Sequence, residues 1–327
     1  MRILGLVSVI AVTGLLAGPA SAADMTLKFG HVGEPGSLFE MSAKEFARCS
    51  NAALGDKAEV QVFGSSQLGN DTELLQKLKL GQVTFALPSS VMSSVAEVFG
   101  VFEMPYIIKS RDHMRRVQDA IMESKLQPAV QEKGYRIIGL WENGFRNITN
   151  NKRPINKPED LEGIKLRTPK GTWRVKMFQL YGANPTPMAF SEVFTALQTG
   201  VIDGQENPYA QIWSAKFQEV QKYLSVTGHV YTPAYALVSE KHYSALPDDV
   251  RSALDDCAAK TQDYTYEAAA QLDKDLLEKL KAGGIEVNEA DKDAFIAASK
   301  PVYDEFAASI DGGQQLIDTV LKLGEGS

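Results

Sequence analysis

The first clear rhythm of polar and apolar positions is Thr26-Leu27-Lys28-Phe29-Gly30-His31, which alternates as a short half-buried strand does. A helical stretch follows from Leu38 to Ala53, and a second alternating run, Glu59-Val60-Gln61-Val62-Phe63, turns at Gly64-Ser65-Ser66. Asp71-Thr72 offers a cap for a helix whose Leu74, Leu75 and Leu78 recur at helical spacing before Gly81 ends it. Val83 to Leu87 reads as the next strand. Strand, helix and strand in so short a span imply parallel pairing through a right-handed crossover.

The same alternation continues downstream. Tyr135 to Trp141 reads as a buried strand, Ile164 to Thr168 as another, and Thr172 to Tyr181 as a helix closed by Gly182. Ser191 is placed to cap a short helix that runs to Thr199 and stops at Gly200. After an extended segment from Val230 to Val238 the pattern turns helical, from Pro247 to Leu280 and again from Asp291 to Leu323. The stretch 247–281, unbroken, would be about 50 Å long, enough to lie across two domains. A chain of 327 residues suggests two domains of ordinary size. No low-complexity tether or internal repeat separates them, so the expected form is an α/β protein with hinge strands.

The N-terminal segment predicts a compartment. Arg2 precedes an apolar run from Ile3 to Leu16, which gives way to Gly18-Pro19 and then Ala20-Ser21-Ala22. That order reads as a secretory signal peptide over 1–22 with cleavage near Ala22, and the run is short for a membrane span of about 20 residues. Export places Cys49 and Cys257 in an oxidising space, and both fall in helical patterns. Their spacing leaves open whether the two sulfurs meet.

Charge and composition narrow the function. Asp and Glu outnumber Lys and Arg, 41 to 34, and no basic stripe marks a nucleic-acid partner. Neither CxxC nor HExxH occurs, so no metal site or cofactor is expected. GxSxG, Walker and GxGxxG motifs are absent too, and an enzyme is not the expected reading.

In an open α/β sheet a ligand crevice lies beyond the carboxyl ends of the strands. Arg167 ends the Ile164–Thr168 strand, Arg146 follows the strand ending at Trp141, and Asn207 lies in the turn Asp203 to Pro208. Two guanidiniums and an amide there can form a fork for a carboxylate. His31, Glu34, Asp71 and Ser89 stand at matching ends in the first half, and Phe190 precedes the Ser191 cap, where an aromatic floor would suit a sugar ring.

At those residues the sequence resembles the extracytoplasmic solute-binding proteins of tripartite ATP-independent periplasmic (TRAP) transporters. The likeness runs through Leu27 to Gly30, Ser65 to Gly69, Leu161 to Pro169 (LEGIKLRTP) and Asn184 to Pro208 (NPTPMAFSEVFTALQTGVIDGQENP). It implies a two-lobed periplasmic-binding-protein fold with hinge strands and a long helix spanning both lobes. Lobe I would comprise 24–144 and 233–272, and lobe II 145–232 and 273–327. It further implies a substrate carboxylate on Arg167, with Arg146, Asn207, Phe190 and Asp71 as pocket contacts. Ser89 and Lys170 differ from the sialic-acid members, which points away from sialic acid itself. Glu34 and His31 near the same cleft would read hydroxyls, so the expected ligand is a hexuronate such as glucuronate or galacturonate. The alternatives are a C4-dicarboxylate or other organic acid, or a secreted uronate-processing enzyme. The implied partners are the small acid and the transporter's membrane subunits, with the protein a periplasmic monomer.

Overall fold

The computed structural model describes residues 23–326; the signal peptide expected over 1–22 lies outside the described residues. The first half is built as its sequence pattern predicts. Strand β1 (Thr26–Gly30) pairs in parallel with β2 (Glu59–Phe63) and with β3 (Phe85–Ala86). Helix α1 (Leu38–Leu54) makes the first crossover and α2 (Asp71–Lys79) the second. The α2 cap is Asn70 rather than Asp71: its side chain accepts from Thr72 and Glu73 N–H, and Glu73 returns the bond to the Asn70 N–H. That reciprocal box displaces the start by one residue and leaves the Asp71 carboxylate free of capping.

After α3 (Arg111–Ile121) and α4 (Gln127–Gln131) the chain enters β4, which runs unbroken from Tyr135 to Asn150. The strand expected to stop at Trp141 therefore continues through Arg146, which sits within β4 and not in a loop after it. Gly144, at φ +122, and register shifts on either side of it allow the ladder to bend without breaking. Strand β5 (Lys165–Thr168), α5 (Thr172–Leu180), β6 (Asn184–Pro187) and α6 (Val193–Gln198) follow. A 3₁₀ turn at Phe190–Glu192 leads into α6, whose preceding residue is Glu192, so Ser191 is not its cap.

The segment read as a turn around Asn207 is strand β7 (Gly204–Asn207), wedged between β4 and β5 and buried throughout. Helix α7 (Tyr209–Ser214) leads to β8 (Tyr223–Ser239), the antiparallel partner of β4 along its length, and then to α8 (Glu240–Ser244). Helix α9 spans 35 residues, Asp248–Ala282, and is followed by β9 (Glu286–Glu289), α10 (Lys292–Ala298), α11 (Lys300–Ser309) and α12 (Gly313–Leu323). Among the described residues the strands form one sheet in the order β2-β1-β3-β8-β4-β7-β5-β6, with β9 alongside β8.

Two strands, β4 and β8, thus pass from one half of the sheet to the other. The expected changeovers after 144 and after 232 fall inside them, where Gly144 and Thr232 are register partners. The long helix serves both halves. Val250, Leu254 and Ala258 of α9 are buried with the core around β1 to β3, and Ala269, Leu276 and Leu280 with the core around α6 and α7. A third core, with Ile164, Leu166 and Phe178, includes Phe295 of α10. Within 273–327, α12 packs against α3, whereas α11 also meets α5 of the second half, Phe306 standing edge-on to Trp173. Val302, Phe306, Leu316, Ile317 and Val320 of α11 and α12 are buried in the first core, because the apolar stripe of α12 closes against α3 and its neighbours.

Cys49 of α1 and Cys257 of α9 form a disulfide, which settles the pairing that their spacing left open. No described helix is long and apolar enough to cross a membrane.

Candidate functional site

A cavity opens where β4, β5 and β7 face the loops after β1 and β3. Of the residues singled out in the sequence it is lined by Asp71, Ser89, Arg146, Arg167, Phe190 and Asn207. His31 and Glu34 are not on its wall.

Arg146 is 2% exposed and is held from behind. Its Nε donates to Glu206 Oε2 at 2.5 Å, and its Nη2 donates to Oε1 at 2.9 Å and to the Glu206 carbonyl at 2.5 Å. Glu206 Oε2 also accepts from Arg174 Nη1 at 2.7 Å, and Arg174 Nη2 lies 2.7 Å from Glu103. Burial opposes ionisation of Glu206, but Arg146 and Arg174 outweigh it and hold its carboxyl well below the usual carboxylate range. His229 closes the cluster. Burial lowers its pKa to about 4, so the ring is neutral at pH 7. A carboxylate accepts only, so His229 Nε2–H donates to Glu206 at 3.1 Å and Nδ1 accepts from the Thr227 hydroxyl at 2.8 Å.

Arg167 is bound differently. It ends β5, 4% exposed, with Nε and Nη2 both donating to the Met188 carbonyl at 3.1 and 2.8 Å. Its guanidinium carbon stands 5.9 Å from the Phe190 ring centroid. Among the described residues no carboxylate lies within ion-pair distance of it, in contrast to Arg146 and Arg174. Burial and the neighbouring charge of Arg146 lower its pKa to about 10, so it stays cationic at neutral pH. Asp71 feels the opposite pull. Burial raises its carboxyl to about 6 against the attraction of Arg167, and it is ionised at pH 7.

The rest of the wall is uncharged and polar on one side. Ser89 Oγ donates to the Pro233 carbonyl at 2.6 Å and accepts from Asn143 Nδ2 at 3.3 Å. Gln211 Nε2 donates to Asn143 Oδ1 at 3.3 Å, while its own Oε1 is buried without a partner, as is the Ser90 hydroxyl. Asn207 Nδ2 donates to Gln205 Oε1 at 2.6 Å. Asn143, Gln211 and Ser90 were missed in the sequence. Asn143 lies in the same Asn-Gly-Phe-Arg segment as Arg146, but the two are three positions apart, which regular alternation would set on opposite faces; the register shift between Glu142 and Gly144 breaks that alternation. Gln211 follows the QENP segment by one helical turn, a spacing that carries no chemical signature.

His31 and Glu34 have other surroundings. His31 is 1% exposed, neither ring nitrogen has a partner, and burial lowers its pKa to about 4. The ring packs against Gly64, where an added Cβ would come within 2.7 Å of it. Glu34 Oε2 accepts from Ser65 Oγ at 2.8 Å and lines a separate groove with Pro35, Phe194 and Phe217. The cause is the backbone turn after β1: it buries residue 31 in the lobe and sends residue 34 to the outer rim. Among the described residues no cluster of His, Cys, Asp and Glu could hold a metal ion.

Comparison with known proteins places this geometry. Residues 29–309 match the model of bacterial extracellular solute-binding protein, family 7. The chain is 35% identical to a solute-binding protein of Roseobacter denitrificans over 91% of its own length and 92% of the relative's. It is 30% identical to the 2,3-diketo-L-gulonate-binding periplasmic protein of Escherichia coli, covering 94% and 95%. Among solved structures, a TRAP periplasmic solute binding protein of Roseobacter denitrificans with bound L-galactonate superimposes with a TM-score of 0.85 at 33% identity, covering 93% of this chain and 99% of that one. One from Sulfurospirillum deleyianum with bound succinate gives 0.87 at 32%, covering 92% and 99%. One from Anaerococcus prevotii with bound D-glucuronate gives 0.88 at 26%, covering 92% and 98%.

Proposed function

The chain belongs to family 7 of the bacterial extracellular solute-binding proteins, and on that premise we propose that it captures a six-carbon sugar acid in the periplasm for a TRAP transporter. The family consists of binding proteins, so the enzyme reading is set aside. The signal peptide over 1–22 would be removed on export. The ligand carboxylate would lie on Arg167, with Arg146 beside it, and the two lobes would shut over the guest along β4 and β8. Closure would drain water from the cavity and so strengthen each charged contact there. The loaded protein would then dock on the membrane subunits.

The observation that carries this reading is Arg167: a buried cation on the cavity wall whose hydrogen bonds, among the described residues, go to one carbonyl. A buried charge of that kind calls for an anionic partner. The ligand's other end is argued from the acceptors around it. The Asp71 carboxylate and Gln211 Oε1 both accept, and a ligand that satisfies them must bring hydroxyl donors. Succinate and fumarate bring none at neutral pH and malate one, whereas a six-carbon sugar acid brings several. Within the sugar acids, the hexuronates remain the reading taken from the sequence. The open-chain hexonates are the second reading, supported by the higher identity to the L-galactonate-bound relative than to the glucuronate-bound one. Calorimetry with D-galacturonate, D-glucuronate, L-galactonate, D-galactonate and succinate tests the proposal. Micromolar binding of a sugar acid with weak or no succinate binding is expected; preference for succinate would overturn it.

A further inference from the structure

The cations outside the cavity are unevenly placed. A surface groove of about 450 Å³ is lined by Lys79, Lys133 and Lys170 and by no acidic residue. Lys79 Nζ stands 4.8 Å from the ring centroid of Tyr135, which also lines the groove. Among the described residues none of these three ammonium groups has an ion pair, whereas Lys44, Lys57, Lys152 and Lys281, for example, each face a carboxylate. All three lysines are exposed.

The groove leads inward. It shares Thr72, Val91 and Lys170 with a smaller recess, and that recess shares Asp71, Val91, Arg167 and Pro169 with the cavity. The three hollows therefore adjoin one another in a line from the surface beside Lys133 and Lys79, past Lys170, to Arg167. Asp71 is the acidic residue that lines them. The chain as a whole carries a formal charge of −7, so a small anion approaching at random meets a repulsive field. A run of exposed cations leading toward the Arg167 guanidinium opposes that field locally.

We infer that this lysine-lined groove is the entrance that steers the anionic ligand to Arg167 and sets its association rate. The inference rests on the sugar-acid reading of the cavity. The lysines stay exposed and hydrated, so they act at range, within a Debye length of about 8 Å at physiological salt, and not as contacts of the bound state. Their signature is therefore kinetic. Neutralising them slows association, leaves dissociation unchanged, and flattens the dependence of association on ionic strength.

Stopped-flow fluorescence of the full mature chain, with D-galacturonate and D-galactonate as probes, tests this. In the triple variant Lys79→Gln/Lys133→Gln/Lys170→Gln the association rate at low salt should fall about threefold to tenfold, a part of the roughly 10- to 1,000-fold that steering can supply. The dissociation rate should hold. A control with the same change of charge, Lys260→Gln/Lys274→Gln/Lys279→Gln on α9, should leave association within about twofold. An unchanged association rate in the first variant, an equal fall in the control, or a loss found in the dissociation rate would overturn the inference while leaving the cavity reading intact. Failure of wild-type protein to bind either acid would overturn the cavity reading and this inference with it.

Discussion

Glu206 Oε2 lies 2.5 Å from Arg146 Nε, with both side chains shut off from solvent, so one of the two guanidiniums at the cavity is anchored by a carboxylate of the neighbouring strand. Arg146 in β4 and Glu206 in β7 face each other across one strand pairing, in which Ile148 is the register partner of Glu206. Arg167, one strand further on, has only a backbone carbonyl. One cation is thus neutralised by the protein, and the other has no ion pair among the described residues, as the proposed function requires of a partner for the ligand.

Arg167→Ala should therefore abolish binding. Removing one partner of a buried, hydrogen-bonded charge pair costs about 2–5 kcal/mol, enough to move a micromolar ligand toward the millimolar range. Arg167→Lys should fail as well, because an ammonium cannot hold the Met188 carbonyl and a carboxylate in the same planar fork. Calorimetry reads both; retained micromolar affinity in either variant contradicts the assignment.

Glu206→Gln acts on stability. It leaves Arg146 and Arg174 buried around a neutral amide, and a loss of about 3–5 kcal/mol is expected at pH 7. The folded carboxyl titrates below the unfolded value of 4.5, so its contribution is present above that pH and fades as pH falls below it. Urea melts should show wild type and variant well separated at pH 7 and converging below about pH 4.5. A constant gap down to pH 3 would show that the charge is not the cause.

His31 provides a second pH dependence of the same sign, at higher pH. Its folded pKa of about 4 lies below the unfolded 6.5, so the unfolded chain binds the extra proton first and stability falls as pH drops between those values. The loss is on the order of 3 kcal/mol from this residue. Both ring nitrogens are unpartnered, so His31→Leu strands no polar group and should flatten the slope between pH 6.5 and 4. An unchanged slope in urea titrations would refute the assignment.

Asp71→Ala separates the ligand classes. If Asp71 accepts from a sugar hydroxyl, its loss weakens sugar-acid binding by about 1–3 kcal/mol. Succinate, which gains by removal of a like charge beside Arg167, should bind no worse. Equal losses for both acids would place Asp71 outside the recognition of hydroxyls.

The Cys49–Cys257 bridge ties α1 to α9 across 208 residues of sequence. Replacing both cysteines by Ala should lower unfolding stability by about 2–5 kcal/mol, read by urea melts. Alkylation of denatured, unreduced protein should label neither sulfur; ready labelling of both would show that the bridge does not form.

Much of the first half was legible because its signals are local. Alternation over Glu59–Phe63 and the leucine spacing of α2 each need only a few neighbours to declare themselves. Two readings failed for one shared reason, that a local signal was overruled by a distant partner. Arg146 reads as lying beyond a strand that ends at Trp141, yet pairing with β8 carries the strand through it. Asp203 to Pro208 reads as a turn too, yet β4 and β5 flank it on both sides and draw it into the sheet. The last helices were expected with the second lobe, yet α12 packs against α3 of the first half while α11 also meets α5 through Phe306 and Trp173.

The candidate site divides along the same line. Residue chemistry, an expected strand-end position and the family resemblance together brought forward Arg167, Arg146, Asn207, Phe190, Asp71 and Ser89; Arg167 does end a parallel strand, whereas Arg146 and Asn207 lie within β4 and β7. Which cation is free is a different matter. It depends on Glu206 reaching Arg146 and on no carboxylate reaching Arg167, and such pairings join residues about sixty positions apart through the sheet. His31 and Glu34 were placed beside the ligand by nearness in sequence to β1; a single turn of backbone set one into the core and the other at the rim. Chemistry and periodicity are carried by neighbours along the chain and so are written in it, whereas the balance of buried charge is a sum over neighbours in space, which only the folded sheet assembles.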